Sequence, residues 1–60
     1  MLNYQQSRLN ETIRVLQKHY DYAENQRQKN LDDAIFAQVY DVLRYTVSEI
    51  AEELRIGIKR

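Results

Sequence analysis

NQRQKNLDD, residues 25–33, is the stretch on which the fold turns. Its one large apolar residue is Leu31, and it ends in residues suited to opening a helix. The side-chain oxygen of Asn30 is placed to accept a backbone N–H that the next turn leaves orphaned, so Asn30 is the expected N-cap. Asp32 and Asp33 would then sit where the helix dipole favours negative charge. Far downstream, Gly57 suits the position just past a helix end, with Lys59 and Arg60 placing positive charge near the last carbonyls. Asn3 followed by Gln6 gives a weaker start upstream. Two helices are therefore predicted, over about 3–26 and about 31–56, joined by a loop at about 27–30. The whole of 1–60 is read as a single helical-hairpin domain.

Periodicity on both sides of the break agrees. Leu2, Leu9, Ile13, Leu16, Tyr20 and Ala23 recur at steps of three and four, with Gln6 and Arg27 on the same line. Phe36, Tyr40, Leu43, Val47, Ile50 and Leu54 make a matching seam on the second helix. Two helices of similar length with facing seams and a short connection form an antiparallel αα-hairpin. The second helix also carries a further apolar row, Ile35, Val39, Val42 and Thr46, about 100° round from the first. A single partner helix does not cover both rows. The expected fold is all-α: an antiparallel two-helix hairpin dimerising into a four-helix bundle, with that row as the dimer interface.

Composition points the same way. There is no proline, one glycine and no cysteine in 60 residues. Disulfides and thiolate metal sites are excluded, and a core this small usually needs another staple, here self-association. The formal net charge is zero, which argues against strong non-specific attraction to nucleic acid or anionic membrane. No apolar run approaches a membrane span and MLNYQQ lacks the pattern of a signal peptide, so a cytoplasmic protein is expected. The halves differ: residues 1–30 hold nine Asn or Gln and five basic against three acidic residues. Residues 31–60 hold only Gln38 and four basic against six acidic residues.

TVSEIAEELRIG, residues 46–57, resembles the first helix of a helix-turn-helix DNA-binding unit. That motif needs a following recognition helix, for which Ile58, Lys59 and Arg60 are too few. The turn slot often filled by glycine holds Arg55, and Val47, Ile50 and Leu54 already fit the hairpin seam.

Candidate chemistry is sparse. A bundle metal site uses Glu-x-x-His, but Leu16 stands three before His19, and Asp21 and Glu24 are badly spaced. Ser7 and Ser48 have no evident His and carboxylate partners, and no glycine-rich loop is present. No cofactor, metal or catalytic residue is assigned, and the chain is read as a non-enzyme. Tyr20 and Tyr40 fall on the seams. Tyr4, Arg8, Val15 and Tyr22 form a strip on one side of the first helix, of a composition favoured at binding hot spots.

Three functions follow as expectations. The first is a homodimeric interaction protein that regulates or inhibits a larger protein by docking a helical face, with Tyr4, Arg8, Val15 and Tyr22 as the partner site. The second is RNA binding by the paired first helices through Arg8, Arg14, Lys18, Arg27 and Lys29. In size and hairpin plan alone, that layout is similar to small plasmid RNA-binding bundles. The third is a purely structural dimerisation module.

Overall fold

A computed structural model describes residues 2–60, with side chains described from Gln5 onward. Two helices, α1 (Leu2–Lys29) and α2 (Ala34–Glu53), pack against each other as a hairpin. The body measures 49 × 18 × 13 Å.

Local pairs hold α1 along its length. Gln6 donates to Asn10 and Gln17 to Asp21, each four residues on. Ion pairs at three-residue spacing join Glu11 to Arg14, Glu24 to Arg27 and, in α2, Asp41 to Arg44. In all three the acid precedes the base, the order that agrees with the helix dipole. Arg27 and Lys29 in the last turn of α1 add to this.

The turn differs from the sequence expectation. Asn30 closes α1 rather than opening α2: its backbone N–H and its Nδ2 both donate to the Gln26 carbonyl, at 3.1 and 2.7 Å. The N-cap of α2 is Asp33, whose Oδ1 accepts the N–H groups of Ile35 and Phe36 at 3.2 Å. Both residues are competent caps. The Asp33 N–H also reaches the Asn30 carbonyl at 3.0 Å, so residues 30–33 form a tight turn. Asp32 and Asp33 thus precede α2 instead of lying in its first turn.

The far end of α2 also stops earlier than expected. Leu54 is the C-cap, and Arg55 follows in the left-handed region at φ 57°. The Ile56 N–H donates to the Ala51 carbonyl at 2.8 Å and the Arg55 N–H to that of Glu52 at 3.0 Å. This is the paired closure of a Schellman turn, with arginine where glycine is usual. Gly57 lies beyond it and is not the left-handed residue. Lys59 and Arg60 do not cap α2 by charge. Gln17 on α1 holds the Lys59 main chain, and Arg60 pairs with Glu52 at 3.0 Å.

Packing shows the main departure. Among the described residues those buried are Ala23 on α1, Val47 and Ala51 on α2, and Ile56 in the tail. No large side chain among the described residues is fully buried. The seam residues Tyr40 and Val47 do face inward, but Phe36, Leu43, Ile50 and Leu54 are exposed, and Ala37, Arg44, Ser48 and Ala51 take inward places. At 100° per residue this is a rotation of α2 by roughly 60°. Small side chains at the contact let the helix backbones approach, and the bulky ones go to the outer side.

Among the described residues no helix is long and apolar enough to cross a membrane.

Candidate functional site: the outer face of α2 and the flank of α1

Rotating α2 joins its two apolar rows. Ile35 (73% exposed), Phe36, Val39, Val42, Leu43, Ile50 and Leu54 all lie outside the helix contact. On a helical wheel they span an arc of about 120°. Thr46 is exposed within the arc, but its hydroxyl donates to the Val42 carbonyl at 2.9 Å. It therefore needs nothing from a partner. The expected interface residues Ile35, Val39, Val42 and Thr46 occupy the half of this surface that points away from α1.

The surface is large for the chain. Its accessible area is 4999 Å², whereas a compact 7.3 kDa monomer exposes roughly 4,200 Å². The surplus sits on the α2 face and on the early turns of α1, where residues 5–11 are exposed throughout. With 28 residues against 20, α1 outruns α2 by roughly 12 Å.

The α1 strip does not form one surface. The Tyr4 side chain lies outside the described residues. Arg8 and Val15 line a shallow groove of about 240 Å³ with Glu11, Thr12 and Leu16. Tyr22 sits apart, its ring edge-on to Tyr40 with centroids 6.2 Å apart. It belongs to the rim of the helix contact, and removal of Tyr40 from water, with Tyr22 beside it, raises the Tyr40 phenol pKa.

The five cations of the RNA-binding expectation are dispersed. Arg14 is held by Glu11, which lowers the carboxyl pKa and raises that of the guanidinium. Arg27 is half-buried on Glu24 at 3.0 Å, with its Nε enclosed and without a partner. Arg8, Lys18 and Lys29 are exposed. Arg27 lies roughly 180° round the helix from Lys18, so the five do not share a face.

Sequence reasoning missed the charged clasp between helices. Glu24 accepts Arg44 Nη1 at 2.7 Å, Arg27 Nη2 at 3.0 Å and Gln28 Nε2 at 3.1 Å. The hydrogen bonds from Arg27 and Gln28, with the nearby positive charges, hold its carboxyl down at about 2. Arg44 is shared with Asp41, so its fork is occupied. Beside it, Tyr20, Asp41, Arg44, Tyr45 and Ser48 line an open groove of about 260 Å³. His19 and Ser7 are exposed. No cluster of three acidic or histidine side chains suited to a metal occurs among the described residues.

Comparison with family models, with curated proteins and with solved structures finds no match to this chain.

Proposed function

We propose that the chain is a non-enzymatic interaction protein. In this reading a helical hairpin pairs with a second copy into a four-helix bundle, and it regulates or inhibits a larger protein by docking a face of α1. The observation that carries it is the broad apolar face of α2 over a hairpin in which no large side chain is fully buried among the described residues. Burial of that face would supply what the chain lacks internally, at about 25 cal/mol per Å² of apolar surface. The surplus of roughly 800 Å² over a compact monomer is surface that pairing can cover. With α2 so occupied, Arg8, Val15 and the projecting turns of α1 would be left to meet the larger protein.

Sedimentation equilibrium over a dilution series tests the first half of this reading. A dimer is expected for the natural chain and for Arg8→Ala, and a folded monomer would end the proposal. For the second half, Arg8→Ala should lose the bound protein while keeping the dimer mass. Retention of the partner by that variant would remove α1 as the docking face.

A further inference from the structure

The dimer reading leaves open which surfaces meet, and four observations choose. First, among the described residues α2 is the element with apolar surface enough to satisfy α2. The large hydrophobics exposed on the described part of α1 are Leu9 and Tyr22 alone, whereas α2 presents Ile35, Phe36, Val39, Val42, Leu43, Tyr45, Ile50 and Leu54. An α1 laid on the α2 face would bury amides and charges against Val and Ile, at the cost of their hydration.

Second, the apolar residues are placed symmetrically about the middle of α2. Reflection through Leu43 carries Phe36 onto Ile50, and a half-step shift carries Val39 onto Thr46. Third, the carboxylates Glu49 and Glu53 lie at one end of the same side. A parallel pair of α2 helices would set Glu49 against Glu49 and Glu53 against Glu53. An antiparallel pair parts these like residues and brings Glu53 to the start of the other helix. There the positive end of the dipole offsets its approach to the N-cap Asp33 and to Asp32. Fourth, the accessible area of 4999 Å² exceeds the roughly 4,200 Å² of a compact monomer of this mass, so surface remains that a second copy can cover.

We infer that the α2 helices of two copies pack antiparallel on each other, with the two-fold axis beside Leu43 and Phe36 of one chain against Ile50 of the other. This rests on the dimer reading above and specifies its geometry. Both α1 helices then lie on the outside of the assembly, their projecting ends pointing in opposite directions.

The absence of cysteine makes the test clean. Full-length Phe36→Cys and Ile50→Cys chains, alone and refolded together, are oxidised mildly, with sedimentation confirming that each retains the natural mass. Val39→Cys with Thr46→Cys is the second pair, at positions exposed in the single chain. The expected result is at least tenfold more cross-linked dimer in each mixture than in either member alone. Self-linking of each member at the level of the mixture would overturn the antiparallel arrangement while leaving dimerisation standing. Dimeric chains that link in no combination would show that α2 does not meet α2, again overturning it. A natural chain that sediments as a folded monomer would remove both the geometry and the dimer.

Discussion

Gln17 grips Lys59 at both of its main-chain groups: Nε2 donates to the carbonyl at 2.9 Å and Oε1 accepts the N–H at 2.7 Å. The side-chain amide thereby acts as a short strand edge and ties the tail to α1, with Ile56 buried behind it. Gln17→Ala removes both bonds and should cost about 1–2 kcal/mol, at roughly 1 kcal/mol for each bond. Amide hydrogen exchange should quicken at Lys59, while the Ile56 N–H, held by the Ala51 carbonyl, changes less. Uniform quickening across both helices would contradict this placement.

Arg55 occupies a conformation that disfavours a Cβ, whereas Gly57 is the glycine that needs no special freedom. Arg55→Gly should therefore raise stability by about 1 kcal/mol in a urea titration, and Arg55→Val should lower it. A Cβ at Gly57 would meet nothing within 4 Å. Gly57→Ala should be neutral or gain up to about 1 kcal/mol by restricting the unfolded chain.

The Glu24 clasp predicts an acid-sensitive contact between the helices. Its carboxyl pKa is lowered from 4.5 to about 2 on folding. Where a folded-state pKa is depressed, the associated stability is complete above the unfolded value and is lost as pH falls toward the folded one. Stability should therefore decline as pH drops from about 4.5 to about 2, and Glu24→Gln should flatten that part of the profile. A carboxyl-carbon NMR titration of Glu24 with its midpoint near 4.5 would refute the clasp.

Tight approach at Ala51 makes it intolerant of bulk. It is 0% exposed, as is Ala23 on the facing helix. Ala51→Leu should destabilise the hairpin by about 1–3 kcal/mol through overpacking, visible as a lower denaturation midpoint. Ala34→Leu, at an exposed position of the same helix, serves as the control and should change little.

Val42 and Tyr45 are three residues apart and both well exposed, but Val42 lies at the edge of the apolar arc and Tyr45 about 60° outside it. Tyr45 lines the groove with Asp41 and Arg44. Val42→Asp should weaken association by tenfold or more, and Tyr45→Asp should leave the sedimented mass unchanged. Equal behaviour of the two would place the interface elsewhere.

The two-helix plan was legible because NQRQKNLDD holds a single apolar residue, Leu31, and because both flanks keep helical spacing. Part of the seam of α1 was also legible: Ile13, Leu16, Tyr20 and Ala23 turn inward to some degree, whereas Leu9 is exposed and the Leu2 side chain lies outside the described residues. The phase of α2 was not. An apolar arc that wide gives periodicity no single direction, and weighting by bulk favours Phe36 and Leu43 over Ala37 and Ala51. The helices approach through small residues, so the bulkiest positions misled. The cap shift from Asn30 to Asp33 has a similar origin, since adjacent residues could each supply the acceptor. The Gln17–Lys59 and Glu24–Arg44 contacts, 42 and 20 residues apart, have no signature in a single sequence.

A hairpin whose enclosed residues, among those described, are two alanines, a valine and an isoleucine has little to keep it folded when solitary. Under the dimer reading, folding becomes a bimolecular event, and the melting temperature rises with protein concentration by mass action. The cellular dose of the chain then sets how much of it is folded, as well as how much is bound. Chains below that threshold, or newly made without a mate, stay open to proteolysis, so abundance and turnover become part of its control.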